Sequence, residues 1–389
     1  MTLRFLTSGE SHGRGYLVVV EGLPAGLALP RERFVAELAR RRRGFGRGPR
    51  MALERDELTF WGGLRGGRTT GAPLGLTLGN SEWESWRPVL DPEAIDAEAA
   101  AAKAAHCPRP GHADLAGLVK YGHGDCRDVL ERASARATAA WTVIGVVGRL
   151  LLESVGVAVR GAVDAIGGVT CSLPGDDAQW ERAARADLGC AREEDEPALI
   201  ARIRAASESG ETLGGTFVVS VTGMPAGVGS YVELDRRLDG RLAGALMAIP
   251  AVKGVEVGLG FRLAEVDGSQ AQDEIVAEGG LRRRTNRAGG LEGGMTNGEE
   301  ILLRAAMKPI PTLRRPLASV DIRDGRARSA HVERGDVCAV PAAVVVAEAL
   351  TAWTVAQALA EQFGGDQASE LRERVTAFRR KGEPFHGGN

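Results

Sequence analysis

The chain has 389 residues and a formal net charge of −2 at pH 7, from 49 Lys and Arg against 51 Asp and Glu. Such a balance does not favour a protein that coats nucleic acid or a membrane surface. Hydrophobic residues make up 44% of the chain and charged residues 26%, the composition of a globular protein, and the five cysteines contain no CxxC pair that would indicate a zinc ribbon.

The pattern of apolar residues and turn formers predicts a mixed α+β class and not a simple βαβ series. Strands are predicted at residues 3–7, 16–21, 59–61, 74–78, 157–166, 216–222 and 254–261. Helices are predicted at residues 30–43, 93–106, 128–155, 197–207, 234–247 and 340–363, the last of them long and buried.

The termini and the apolar stretches bear on location. No window approaches about 18 uninterrupted apolar residues, the length of a membrane span. The N-terminus MTLRFLTSGESHG also lacks the basic segment and apolar run of a secretion signal. We therefore expect a cytoplasmic protein that does not bind a membrane.

A short frame, V-x-G-x-P-A-G, occurs twice, at residues 20–26 and 221–227. In both copies an apolar strand leads into the frame and an Arg-bearing helix follows, and no Pro/Ser-rich linker separates the copies. We therefore expect a single domain, residues 1–389, with pseudo-symmetric halves of about 1–165 and 210–389.

Arginine is concentrated in two Gly-interrupted stretches. One is RRRRGFGRGPR, residues 40–50, and the other contains the RRR run at 282–284. Guanidinium groups bind carboxylate and phosphate oxygens in a bidentate way, so these stretches indicate a small polyanionic ligand. The alternatives at this point are a solvated helix end and a nucleic-acid-binding module.

The segment Gly9-Glu10-Ser11-His12-Gly13 matches G-x-S-x-G, the nucleophile-elbow pattern of serine hydrolases. An elbow requires a strand before it and a helix after it, whereas a second strand is predicted directly after this segment. Only eight residues precede the motif, which leaves no upstream strand for an oxyanion hole. A serine hydrolase is therefore the weaker alternative.

Nucleotide and metal motifs are also weak. The run GGLRGGRT at residues 62–69 resembles a P-loop but has Arg68 where lysine is required, and no G-x-G-x-x-G is present. No HExxH occurs, and the pair His123 and Cys126 has no second pair at ligand spacing. We expect no metal.

Polar residues that remain unexplained lie in Gly/Pro-rich segments. They are Ser11 and His12 in GESHG, Arg109, His112 and Asp114 in RPGHAD, Arg132, Ser134 and Arg136 in ERASAR, Lys308 in MKPIPT, and Arg334 and Asp336 in ERGDVC. Single residues of this kind commonly stabilise loops, but their joint pattern is more specific.

Together with RRRRGFGRG, PAVKGVEVGLGF, GGLEGGMTNGE and the initial GESHGRGYLVVVEGLPAG, these blocks resemble the chorismate synthase family, in order and over essentially the whole chain. The resemblance implies a β-α-β sandwich, usually a homotetramer. It implies an anti 1,4-elimination of phosphate and the C6 pro-R hydrogen from 5-enolpyruvylshikimate 3-phosphate, the final step of the shikimate pathway. The expected cofactor is reduced FMN (FMNH2), although the reaction is redox-neutral; no nucleic-acid partner is expected.

The resemblance also implies roles for individual residues. His12 would protonate the departing phosphate, His112 would protonate or stabilise the reduced flavin, Asp336 would accept the flavin N5 proton, and Ser11 and Ser134 would belong to the same catalytic set. The implied flavin-binding residues are Arg132, Ala133, Ser134, Pro250, Ala251, Gly293, Lys308, Pro309, Ile310, Pro311, Thr312 and Arg334.

Substrate anions would be bound by Arg109 and Arg136 and by Arg41 and Arg47 of a basic loop that we expect to be too polar to pack. Family members commonly carry Ser or His where this chain has Gly335, which puts a side-chain contact there in doubt. No nucleotide fingerprint remains for an associated reductase, so we expect the bacterial monofunctional type; the family resemblance also implies FAD and NADP as associated nucleotides, with Arg41, Arg47, Arg109 and Arg136 as substrate- or NADP-binding residues. NADPH as an indirect reductant stays open, since Arg41 and Arg47 could hold its phosphate.

Overall fold

The computed structural model describes residues 2–48, 56–277, 281–333 and 335–381. Two arginines of the sequence analysis, Arg50 and Arg334, lie outside the described residues.

The helices are α1 (Arg31–Arg42), α2 (Trp83–Leu90), α3 (Ala97–Lys103), α4 (Asp114–Tyr121), α5 (Arg127–Ala133), α6 (Thr138–Glu153), α7 (Asp177–Arg185), α8 (Glu196–Ser209), α9 (Leu238–Met247), α10 (Gly268–Ala271), α11 (Val340–Phe363) and α12 (Ala368–Lys381). Short 3-10 turns lie at Ala135–Ala137, Glu193–Asp195, Leu234–Arg236 and Gly260–Glu265.

The strands are β1 (Arg4–Gly9), β2 (Gly15–Glu21), β3 (Glu57–Gly62), β4 (Leu64–Arg65), β5 (Arg68–Thr69), β6 (Leu74–Gly79), β7 (Ala158–Ile166), β8 (Val169–Thr170), β9 (Gly215–Thr222), β10 (Val252–Val257), β11 (Ile275–Ala277), β12 (Leu281–Arg283), β13 (Leu291–Glu292), β14 (Met295–Thr296), β15 (Ile301–Met307), β16 (Ala318–Val320) and β17 (Ala327–Ser329).

Two antiparallel sheets enclose the central helices. One has the order β1-β2-β6-β3 and the other β10-β15-β9-β7-β8. Helices α6 and α11 pack along each other; α6 contacts β2 of the first sheet, and α11 contacts β7 and β9 of the second. The α+β class and the β-α-β layering are thereby confirmed.

Close approach of α6 and α11 depends on two glycines of α6. A Cβ atom on Gly145 would lie 2.1 Å from the Cβ of Ala349, and one on Gly148 would lie 2.9 Å from the Cα of Trp353. Both distances are too short for real atoms, so the helix backbones can approach this closely only where α6 lacks side chains.

By length and composition, Arg127–Glu153 and Val340–Phe363 are apolar enough to cross a membrane. In the fold, 83% and 94% of their most apolar windows are buried inside the protein. Their composition therefore matches that of core helices.

The predicted helix over 128–155 is interrupted. Helix α5 ends at Ala133, Ser134 is extended with ψ 140°, and a 3-10 turn precedes α6. The Ser134 hydroxyl accepts a bond from the backbone N–H of Arg136 at 3.3 Å, so Ser134 serves as an N-cap at the break. The Ala-rich helix predicted over 93–106 is also shorter, Ala97–Lys103, with Asp96 capping its N-terminus.

The two copies of the V-x-G-x-P-A-G frame make the same contacts. In each, a threonine hydroxyl (Thr69 or Thr296) donates to the carbonyl of the frame's proline (Pro24 or Pro225), at 2.5 Å and 2.6 Å respectively. The same hydroxyl accepts a main-chain N–H just after the frame at 2.9 Å in both copies. Each threonine ends a small hairpin, β4–β5 in GGLRGGRT and β13–β14 in GGLEGGMT. The P-loop-like run is therefore one copy of a repeated hairpin.

These shared contacts support our proposal of two pseudo-symmetric halves. Strand order matches when β1, β2, β6 and β3 are set against β7, β9, β15 and β10. Strand β7 pairs with β9 of the second sheet, so a division of the chain according to its two sheets places the boundary between the halves before Ala158. This boundary is earlier than the expected end of the first half near residue 165.

Candidate active site

One cavity of about 460 Å³ gathers residues from both halves of the chain. The β1–β2 loop, the end of α1, the loop before α4, the α5–α6 break, the segments after α9 and β15, and the start of α11 all contribute to its walls. The polar residues in its lining are Ser11, His12, Arg41, Arg47, Arg109, His112, Ser134, Arg136, Thr138, Lys308, Thr312, Glu333 and Asp336. Its size is typical of a small-molecule site, for which about 300–1,000 Å³ is usual.

His12 is held by Glu131, a carboxylate of α5. The Nδ1 atom of His12 lies 2.9 Å from Oε1 of Glu131, and its main-chain N–H donates to Oε2 at 2.8 Å. Both residues are buried, with 5% and 2% of their surface exposed. Burial opposes ionisation of Glu131, but the bonds and charge of His12 together with the charge of Arg127 outweigh it, so the pKa of Glu131 lies below its usual range.

His112 has a similar partner in Asp114, the first residue of α4. Its Nδ1 lies 2.5 Å from Oδ1 of Asp114. Arg109 binds the same carboxylate through Nε at 2.8 Å and Nη2 at 3.0 Å. Burial would raise the pKa of Asp114, but the bonds from His112 and Arg109 lower it well below its ordinary value. Asp114 is therefore an anion that orients both the His112 ring and the Arg109 guanidinium group.

Asn80, at the end of β6, holds the Ser11–His12 loop. Its Nδ2 atom donates to the carbonyls of Glu10, Ser11 and Gly13 at 3.1, 3.2 and 2.7 Å. Its Oδ1 accepts from Nη2 of Arg136 at 3.0 Å. A single amide thus places the loop and a cavity arginine relative to each other.

The basic wall of the cavity includes Arg41 and Arg47. Arg41 lies in the last turn of α1, is 3% exposed and donates through Nε to Thr138 at 3.0 Å. Arg47 forms an ion pair with Asp336 at 2.8 Å. The stretch is packed as far as Gly48, so the expectation that it is too polar to pack is wrong for its described part: Arg41 donates to Thr138, and Arg47 pairs with Asp336.

The lining also contains Pro250, Ala251 and most of the MKPIPT segment. Ala251 has φ +70°, and among the described residues it is the only non-glycine in the left-handed region. Its carbonyl accepts from the N–H of Lys308 at 2.9 Å, while Nζ of Lys308 donates to the carbonyl of Gly111 at 2.7 Å. Strained backbone of this kind is concentrated at functional sites.

The lining combines charge with an apolar floor. Five Lys and Arg side chains face two carboxylates, Glu333 and Asp336, so the cavity suits a ligand with several negative charges. Ala342, Ala343 and Val346 of α11 join Ile249 and Met307 to form an apolar surface. In the described parts of the chain, no cluster of three His, Cys, Asp or Glu side chains could hold a metal ion.

Comparison with known proteins identifies the family. A family model described as chorismate synthase matches residues 3–360. The chain is 50% identical to a chorismate synthase of Desulforamulus reducens, over 97% of this chain and 98% of the relative, and 51% identical to one of Moorella thermoacetica with the same coverage. The chain belongs to the chorismate synthase family.

A solved structure agrees. The fold matches a crystal structure of chorismate synthase with a TM-score of 0.78 and 36% sequence identity, covering 98% of this chain and 99% of that one. Chorismate synthases are carbon–oxygen lyases of the last step of the shikimate pathway.

Most of the residues that the family resemblance implies line this cavity. The exceptions are three. Arg132 donates to the main-chain oxygens of Thr7 and Gly9 at 3.2 and 3.1 Å, Gly293 lies in the β13–β14 turn, and Pro309 is not part of the lining. Arg334 lies outside the described residues. Their role in a flavin site of chorismate synthase stays a prediction.

Sequence reasoning missed the residues behind the lining. Glu131 stands inside the quoted ERASAR block, and Asn80 lies after an apolar strand, but neither carries a local motif. Asp56 forms an ion pair with Arg136 and approaches Arg42 at 3.7 Å. Only spatial proximity to a chorismate synthase site residue could have singled them out.

Proposed function

We propose that this cavity converts 5-enolpyruvylshikimate 3-phosphate to chorismate and phosphate with the help of reduced FMN. The observation that carries the proposal is the pairing of two histidines, His12 and His112, each held by its own carboxylate in one basic cavity. A positioned imidazole is the usual general acid near neutral pH.

The residues present fit a flavin. A flat apolar ring system suits the apolar surface to which α11 contributes, and the left-handed backbone at Ala251, also in the lining, is the kind of strain that is concentrated at functional sites. We propose that the flavin is held by Ala133, Ser134, Pro250, Ala251, Lys308, Ile310, Pro311 and Thr312, with Arg132, Gly293, Pro309 and Arg334 as further predicted contacts. When bound, reduced flavin supplies an electron-rich group that assists C–O cleavage without net oxidation.

The substrate carries a phosphate and two carboxylates. Arg41, Arg47, Arg109 and Arg136 are proposed to bind these groups, because guanidinium forks fit such oxygens and all four side chains line the cavity. Their buried partners, among them Asp56 and Asp114, fix the direction of each fork before the ligand arrives.

Charge develops on phosphate as the C–O bond breaks. His12 is proposed to donate a proton to it, with the arginines stabilising the remaining charge. His112 is proposed to act near the flavin, and Asp336, held by Arg47 and by the N–H of Gly48 at 2.6 Å, to accept a proton. The hydroxyls of Ser134 and Ser11, 3.1 Å apart, are proposed to order the polar edge between the two parts of the site.

A homotetramer and a cytoplasmic location are part of the same proposal. In support of assembly, Leu6 and Trp61 are 77% and 74% exposed, and Leu6 shares one face of the first sheet with Val19 across the β1–β2 pair. Exposed apolar surface on a sheet commonly marks an interface. Sedimentation analysis of the purified chain would test it: a monomer at micromolar concentration contradicts the assembly.

The function is tested by anaerobic turnover with reduced FMN. Phosphate and chorismate should form only with reduced flavin, and His12→Ala and His112→Ala should each lower turnover about 10²- to 10⁴-fold in folded protein. Near-normal turnover in either variant removes that residue from the proposal. A serine-reactive phosphonate should have no effect.

The reductant is tested separately. With oxidised FMN and NADPH in the dark, we expect no sustained turnover, as in a monofunctional enzyme. A rate comparable to that with dithionite-reduced FMN would show instead that the chain reduces its own flavin.

A further inference from the structure

Three nitrogen atoms lie within hydrogen-bond distance of the carboxylate of Glu131. They are the ring Nδ1 of His12 at 2.9 Å, the main-chain N–H of His12 at 2.8 Å, and Nη1 of Arg127 at 3.2 Å. Glu131 is 2% exposed, so water does not compete for its oxygens. Both oxygens must act as acceptors, which is a property of the ionised carboxylate and not of an amide.

We propose that Glu131 is the positioning residue for proton transfer by His12. This inference rests on the proposed function, in which His12 is the proton donor. With Nδ1–H bonded to Glu131, Nε2 of His12 makes no hydrogen bond within the described residues and is the ring nitrogen left for the cavity. A proton leaves Nε2 for a phosphate oxygen, Nδ1–H stays on the ring, and Glu131 compensates the imidazolium charge beforehand.

Trp86 of α2 fixes the plane of the ring. The His12 and Trp86 rings stack at 4.1 Å between centroids with an interplanar angle of 24°. Arg127 and Lys103 also lie within 5.2 Å and 5.1 Å of the Trp86 ring centroid. The Glu131 carboxylate on one side and the indole on another restrict both translation and rotation of the imidazole.

The surrounding charges belong to the same network. Arg127 binds Glu333 at 3.1 Å, and Glu333 binds Nε2 of His331 at 2.9 Å. The titratable or charged groups around His12 and Glu131 are thus Arg127, Lys103, Glu333 and His331. Within the described residues, Glu131 is the carboxylate that bonds to the His12 ring, and this singles it out as the group that selects the tautomer.

Replacement of Glu131 separates charge from shape. Glu131→Gln keeps the shape but turns an NH₂ group toward one of the three donors, whereas Glu131→Asp keeps two acceptor oxygens on a shorter arm. We expect Glu131→Gln to lower kcat about 10²-fold, the lower end of the contribution of general acid catalysis, with KM changed less than about threefold. Glu131→Asp should retain more activity than Glu131→Gln. The reverse order would mean that Glu131 matters only for packing.

A matched control is Asp164→Asn. Asp164 is 4% exposed and is paired with Arg304, and neither residue lines the cavity. We expect Asp164→Asn to lose stability, as we expect of Glu131→Gln, but to keep the kcat of the wild type and its dependence on pH. An equal loss of kcat in both variants would show that the effect is general destabilisation.

The tautomer gives a readout without turnover. In ¹⁵N-histidine-labelled, flavin-free wild type at alkaline pH, the neutral His12 ring should carry its hydrogen on Nδ1, and Glu131→Gln should shift it toward a mixture. A wild-type ring protonated on Nε2 overturns the inference, even where the variants fail to fold. Unchanged kcat in Glu131→Gln beside an inactive His12→Ala overturns it too but leaves the proposed function standing; an active His12→Ala overturns both.

Discussion

Arg47 and Asp336 form an ion pair of 2.8 Å in the wall of the cavity, and the N–H of Gly48 donates to the other oxygen of the same carboxylate. A predicted anion-binding cation and a predicted proton acceptor are therefore partners. This ion pair links the segment after α1 directly to the segment before α11.

Arg47→Ala should raise the KM for substrate about 10- to 100-fold, because it removes an anion-binding group and leaves Asp336 without its cation. Steady-state kinetics with saturating reduced FMN measures this. Arg43→Ala is the matched control from the same stretch: its guanidinium binds the carbonyls of Arg185 and Ala184, away from the cavity. Equal changes in KM for the two variants would contradict a specific role for Arg47.

Asn80→Ala should lower both activity and stability. The change removes the Nδ2 donor that binds the carbonyls of Glu10, Ser11 and Gly13. It also removes the Oδ1 acceptor that binds Arg136. We expect the free energy of unfolding to fall by about 1–3 kcal/mol, the cost of unsatisfied buried groups, and kcat/KM to fall at least about tenfold. Denaturant titration and kinetics are the measurements.

The control for Asn80 is Asn286→Ala. Asn286 makes a comparable pair of main-chain bonds, to the carbonyl of Glu300 and from the N–H of Gly290, but none of these residues lines the cavity. It should lose stability and keep kcat/KM. Unaltered activity in Asn80→Ala would show that the His12 loop holds its shape without the amide.

Gly145→Ala should destabilise the protein by about 1–3 kcal/mol or more through overpacking of α6 against Ala349 of α11. Gly240→Ala, at an exposed position of α9 with open space around it, should be neutral or stabilising by about 0.5–1 kcal/mol. Thermal unfolding of the two variants compares them directly. Similar melting temperatures would mean that the helices can move apart at little cost.

Stability should fall in acid through Glu333. Burial opposes its ionisation, but the bond from His331 and the charge of Arg127 outweigh it and lower the pKa from the ordinary 4.5 to about 2. In the folded state, Glu333 thus binds a proton only at a lower pH than it does in the unfolded chain. The stabilisation is complete above about pH 5 and is lost as the pH falls toward 2.

Glu333→Gln should flatten this acid dependence, since the titrating group is gone. Urea unfolding at pH 7 and pH 3.5 gives the slope for both proteins. Parallel slopes in wild type and variant would assign the acid sensitivity to other carboxylates, such as Glu131 and Asp114, whose pKa values are also lowered.

The sequence by itself determined the local pattern of this protein. Alternating apolar residues predicted β2 and β6 within a residue or two, and the long apolar run predicted α11 at its observed bounds, because burial repeats with the period of each element. The paired V-x-G-x-P-A-G frames likewise indicated a repeat, and in both copies the frame's proline carbonyl accepts a bond from a threonine of a small hairpin. Resemblance to a family supplied most of the cavity lining.

Tertiary structure decided what surrounds those residues. Helix propensity is continuous over 128–155, but the helix breaks at Ser134. At this break Ser134 bonds to Ser11 of the His12 loop and Arg136 bonds to Asn80, so long-range contacts hold both side chains in the cavity lining. Glu131 meets His12 from 119 positions away, and Arg41 becomes a buried side chain because Thr138 accepts its bond. Such pairings depend on how distant segments pack, and no local periodicity or propensity in the chain encodes them.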